Sequence, residues 1–103
     1  MSDQKPDRIT SIALSHVVLP LKHEISDAKV FTGRQKPMTE VNFLFCELET
    51  ADGVSGVGFS YSKRAGGPAQ FAHAKEVAGN LIGEDPSDID RLRVKLLWAG
   101  ASV

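Results

Sequence analysis

A chain of 103 residues has room for one domain at most, and for a small core within it. The apolar fraction of 42% and charged fraction of 24% are ordinary for a water-facing fold. Twelve Lys and Arg against thirteen Asp and Glu leave a net charge of -1, which gives no field to recruit nucleic acid or an anionic membrane. Both are therefore excluded as expected partners.

The single cysteine, Cys46, has no mate for an internal disulfide and no CxxC companion for zinc. Its apolar setting predicts a small buried hydrophobe. The polar N-terminus lacks the apolar stretch of a signal peptide, and no apolar run approaches the roughly 18 residues that span a bilayer. The expectation is a soluble, cytoplasmic chain.

Residues 1–7 read as a flexible terminus. From 9 to 21 both parities are partly apolar: Ile9, Ala13, Val17, Leu19 and Leu21 on one, Ile12, Leu14 and Val18 on the other. That predicts a strand covered on two sides, ending near Pro20. Residues 22–38 break every period and predict a long functional loop, with Ile25, Val30 and Phe31 as apolar groups for docking.

Residues 39–50 alternate strongly, Val41, Phe43 and Phe45 against Leu44, Cys46 and Leu48, and predict a second strand. Asp52-Gly53 predicts a hairpin turn into a third strand over 54–61. Gly56 and Gly58 leave one face of that strand bare for close packing. Gly67 as N-cap with Pro68 behind it opens a helix whose apolar positions are Phe71, Ala74, Val77, Ala78 and Leu81, closed by Gly83. Asp85 as N-cap with Pro86 predicts a second helix, with Ile89, Leu92, Leu96 and Ala99 on its apolar face. The fold class is α+β: a three-stranded antiparallel meander followed by a helical hairpin.

Chemistry concentrates in residues 59–68, where Lys63 and Arg64 precede Gly66 and Gly67 on a strand-to-helix loop. Arg by a two-pronged contact and Lys as a point charge can hold a carboxylate, aided by the glycine amides and the helix start. The residues alone equally allow a solvated loop with two surface cations. His16, His23 and His73 have no metal-ligand spacing, and Asp85 and Asp88 are explained by helix capping. Tyr61 and Trp98 can stack on a ligand or fill a small core. Spacing supplies no nucleophile, base and electrophile together, so no catalytic residue is assigned.

Several runs carry a resemblance. Residues 20–21, 25–29, 32–40 and 59–68, extended by 70–74, 81–86 and 97–102, resemble the N-terminal capping domain of the enolase superfamily. The likeness is to the mandelate racemase/muconate lactonizing enzyme branch, and within it to the talarate/galactarate dehydratases. It implies that residues 8–103 are an α+β cap that closes over a (β/α) barrel. The barrel carries the Mg²⁺ ligands and the bases that remove a proton next to a carboxylate. The resemblance further implies that residues 22–38 and 60–68 are two specificity loops. Lys63, with Arg64, Tyr61 and Lys29, would then contact an acid-sugar substrate.

The expected partners are the barrel domain, the acid sugar and further copies of the chain in a homo-oligomer through Leu97, Trp98, Val30 and Phe31. No cofactor is assigned to this chain itself, and Mg²⁺ belongs to the intact parent enzyme. No barrel residue falls within these 103, so the chain is expected to be inactive alone. A non-catalytic anion-binding or interaction module and a vestigial truncated product are the alternative readings.

Overall fold

The computed structural model describes residues 6–62 and 65–101. Three strands form one antiparallel sheet in the order β1 (Ile9–Ile25), β2 (Met38–Thr50), β3 (Ser55–Ser62). A single helical turn, α1 (Ala28–Phe31), lies between β1 and β2. Beyond the sheet come α2 (Gly67–Ala78), a 3₁₀ turn (Gly79–Leu81) and α3 (Ile89–Ala99). The α+β class and the meander-then-helices order stand as expected.

Ladder pairing fixes what each sheet face presents. Ile12, Leu14, His16 and Val18 of β1 pair with Leu48, Cys46, Leu44 and Asn42 of β2. Cross-strand partners share a face, so these side chains form the side on which the helices lie. The His16 ring meets Phe71 of α2 at 5.7 Å, and Gln70 Nε2 donates to Ser60 Oγ at 3.0 Å. The opposite face carries Val17 beside Phe43, and Phe43 and Phe45 beside Tyr61 and Phe59. No helix covers it.

Ile9 breaks the parity expected from sequence. The register shifts between Ile9 and Ser11, a bulge at Thr10 that moves one residue to the other face. Ile9 therefore sits under the helices at 2% exposure, lining an apolar cavity with Leu48, Leu81 and Leu92. Leu92 is the other deeply buried apolar side chain among the described residues. Two such residues make a thin core. The radius of gyration, 17.9 Å, exceeds the roughly 13 Å of a compact chain this long. Much of that excess is the length of the β1–β2 hairpin.

Other boundaries differ from expectation, each for a local reason. β1 does not end near Pro20. Regular pairing stops at Pro20–Glu40, where the missing N–H breaks the ladder, and resumes at Ile25–Met38 after a second register shift. α2 starts at Gly67 with Gly66 as its N-cap, one residue earlier than expected, and it ends at Ala78 instead of running to Gly83. Asp85 does not cap α3. It accepts from the Ser87 N–H and hydroxyl in a preceding turn, and Asp88 takes the N-cap position. Cys46 is half-buried, and desolvation pushes its thiol up from the usual range. A Cβ at Gly56 or Gly58 would meet nothing within 4 Å, so none of the described residues uses that bare strip.

Candidate functional site

The first loop is held by its own hydrogen bonds. Asp27 caps α1, accepting from the Lys29 and Val30 N–H groups at 3.0 and 3.4 Å. The Lys29 carbonyl then accepts from Arg34 and Gln35 at 2.9 and 3.1 Å, folding the chain back on itself. Gly33 at φ +74 makes that reversal possible without strain. Thr32 Oγ1 donates to the Ala28 carbonyl at 2.8 Å and closes the far side. The loop was expected to be structureless over 22–38. Instead, residues 22–25 belong to β1, Met38 to β2, and a capped helical turn fills the middle.

Of the loop's three apolar groups Val30 is half-buried, and the other two stay exposed. Phe31 is 79% exposed and Ile25 is 50% exposed. A helix of four residues has no face long enough to reach across the sheet.

The second loop leaves β3 at Ser62 and enters α2 at Gly67. Gly66 holds φ +93, the left-handed region that a side chain disfavours. Lys63 and Arg64, named from sequence as substrate contacts, lie outside the described residues. Both loops reach the same end of the sheet. Between them lies a cleft of about 280 Å³ lined by Gln35, Lys36, Pro37, Met38, Thr39, Glu40 and Ala65. The cleft thus joins the end of the first loop to the middle of the second.

Tyr61 stands on the uncovered sheet face, its ring 6.3 Å from Phe43, and does not line the cleft. Lys29 sits in α1, also away from the lining. Lys36 and Glu40 are the charged residues of the cleft wall, and sequence reasoning did not single them out as contacts. Their one available signal was position, flanking Pro37 where the first loop returns to β2. A cation and a carboxylate on one wet cleft wall can bind a polar ligand but do not by themselves make a catalytic pair.

No group of three or more His, Cys, Asp or Glu that could hold a metal comes together among the described residues. His16 hydrogen-bonds to Asn42, and His73 lies against Gly100 at the end of α3. Asp85 and Asp88 are engaged with Ser87 and Arg91. No helix among the described residues is long and apolar enough to cross a membrane.

No protein-family model matches the chain. A curated relative, the L-talarate/galactarate dehydratase of Salmonella typhimurium LT2, is 63% identical over 97 residues. Those residues are 94% of this chain and 24% of the relative. The crystal structure of that enzyme superposes with a TM-score of 0.92, covering all of this chain and 27% of the other. The L-talarate dehydratase of Polaromonas sp. JS666, solved with Mg and L-glucarate, is 69% identical with a TM-score of 0.88. It is covered to 26% of its length by 93% of this chain. A mandelate racemase/muconate lactonizing enzyme from Polaromonas sp. JS666 is 55% identical with a TM-score of 0.79, over 95% of this chain and 24% of that one. The chain spans about a quarter of the length of the relatives it matches. By sequence and by fold it is a homologue of the N-terminal portion of the L-talarate/galactarate dehydratases, in the mandelate racemase/muconate lactonizing enzyme branch of the enolase superfamily.

Proposed function

We propose that residues 8–103 are the substrate-capping domain of a Mg²⁺-dependent acid-sugar dehydratase of the talarate/galactarate type. In this reading the two loops close over a barrel active site carried outside these residues, and the chain alone is inactive. The observation that carries it is the shared cleft: residues 35–40 and Ala65 line one opening at one end of the sheet. Loops on a rigid sheet are where specificity contacts are ordinarily placed. Lys63 and Arg64 take the distal carboxylate or hydroxyls of the acid sugar, with Tyr61 and Lys29 flanking. The Mg²⁺ ligands and the bases come from the barrel.

Exposure of Trp98 at 74%, Leu97 at 64% and Phe31 at 79% supports a surface meant for other polypeptide. The barrel domain and further copies of the chain are the partners this reading assigns.

The test is a titration of the chain with galactarate, followed by amide chemical shifts. Shifts confined to residues 22–38 and 60–68, abolished by Lys63→Ala, are expected. Shifts spread over the helices, or a response that Lys63→Ala leaves intact, would remove Lys63 from the site. Mg²⁺-dependent conversion of galactarate by the chain alone would overturn the claim that it is inactive.

A further inference from the structure

We propose that Asn42 closes the neck of the second loop, and that His16 holds Asn42 in that position. Asn42 lies on β2 at 8% exposure, a buried amide on the helix side of the sheet. Its cross-strand partner on β3 is Ser62, the last residue before the loop. Its side chain also sits under Gly67, the first residue of α2. A Cβ built at Gly67 would lie 2.5 Å from both Cγ and Oδ1 of Asn42. The chain therefore leaves and returns over a single side chain, with four residues in between.

An amide in that place is useful only if it does not turn. His16 Nε2 lies 2.7 Å from Asn42 Oδ1, and with Oδ1 accepting, the imidazole carries its proton on Nε2. The His16 ring rests in turn on Phe71, four residues along α2 from Gly67. One histidine thus touches both the amide and the helix that the loop enters. Gln70 Nε2 donating to Ser60 Oγ joins β3 and α2 again beside the neck. Leaving a buried amide without its partner is costly, so the pair resists rotation.

Asn42 and His16 are positioning residues in this account. What the loop then touches rests on the capping reading; how the loop is held does not.

Amide hydrogen exchange on the whole chain tests the proposal without a ligand. Asn42→Ala is expected to speed exchange of the first hydrogen-bonded amides of α2, from Gln70 to His73, by about tenfold or more, as a local opening, while residues 44–47 of the central strand keep their protection. Asn42→Asp, which preserves the shape and the acceptor, is expected to restore slow exchange, and His16→Ala to reproduce the loss. If Asn42→Ala proves too unstable, Gly67→Ala drives a methyl into the amide and is expected to release the same segment. Unchanged exchange at residues 70–73 in either variant, or a rise shared evenly by the entire chain, would overturn the proposal. Galactarate titration separates the two readings: a loosened loop in Asn42→Ala beside a wild-type chain that ignores galactarate upholds the neck and shows that the loops do not take the acid sugar by themselves.

Discussion

Phe45 and Phe59 face each other across the β2–β3 ladder, ring centroids 5.9 Å apart, on a sheet face that no helix among the described residues covers. Phe43 extends the row to both, and Val57 and Tyr61 continue it along β3 at 72% and 54% exposure. Phe59 itself is 66% exposed. A contiguous aromatic strip of this kind is unusual on an isolated soluble surface. Phe59→Ser is expected to reduce binding of an apolar fluorescent dye and to weaken concentration-dependent association in light scattering. Its cost in stability should be about 1 kcal/mol or less, the scale of an exposed cross-strand aromatic pair. Unchanged association would show that copies meet elsewhere, and Trp98 would be the next residue to vary.

The turn before α3 is tied by charge. Glu84 accepts from Arg91 Nη2 at 3.0 Å and Lys95 Nζ at 2.7 Å, and these contacts hold its carboxyl down to about 2 from an ordinary 4.5. A carboxylate whose value falls on folding contributes stability above its unfolded value and loses it as pH drops through the folded one. The contribution is thus complete above pH 4.5 and is withdrawn progressively between 4.5 and about 2. Glu84→Gln is expected to flatten the fall in urea midpoint across that window and to lower the midpoint near pH 7. Parallel wild-type and Glu84→Gln curves would show that the clamp contributes nothing, as many exposed ion pairs do.

The meander, the Asp52-Gly53 turn and both long helices were legible because each has a period or a breaker within a few residues. Gly53 indeed takes φ +83, and Thr50 and Val54 close the hairpin around it. Ile9 was misplaced because a bulge leaves no mark on alternation: Thr10 looks like any strand residue, yet it moves Ile9 to the covered face. α1 was missed because one capped turn is below the reach of helical periodicity, although Asp27 gave its cap. The cleft was invisible for a different reason. Gln35 to Glu40 and Ala65 are separated by a whole hairpin, and only the ladder brings them together. Residues 9–21 predict cover on both sides of β1, yet the Val17 side has no helix over it among the described residues, since apolarity on both parities says that a face is apolar and not what covers it.

Two glycines should answer alanine in opposite ways. Gly66 caps α2 at φ +93 with no atom near its missing Cβ, so Gly66→Ala is opposed by backbone geometry alone. It should cost about 1–2 kcal/mol. Gly56 has equal space at an ordinary strand φ, and Gly56→Ala should be neutral or stabilise by up to about 1 kcal/mol through a less flexible unfolded chain. Chemical denaturation of both variants checks the pair. Equal losses would mean that the strip beside Gly56 is occupied in solution, which is itself a sign of association.

Leu92 tests how little holds this fold together. It is 7% exposed and lines, with Ile9, Leu48, Leu81 and Leu96, an apolar cavity of about 360 Å³ open at one side. Removing its side chain enlarges a void that the chain already fails to fill, and Leu to Ala changes at such sites cost about 2–5 kcal/mol. Small domains have about 5–15 kcal/mol in all, and one with so thin a core belongs at the low end. Leu92→Ala is therefore expected to broaden or abolish the cooperative thermal transition while leaving β-structure in the far-ultraviolet spectrum, because the hairpin ladders do not pass through Leu92. A sharp transition lowered by only a few degrees would mean that the cavity collapses around the gap. It would also mean that α3 is held chiefly by Glu84, Arg91 and Lys95, in which case Glu84→Gln should be the more damaging of the two changes.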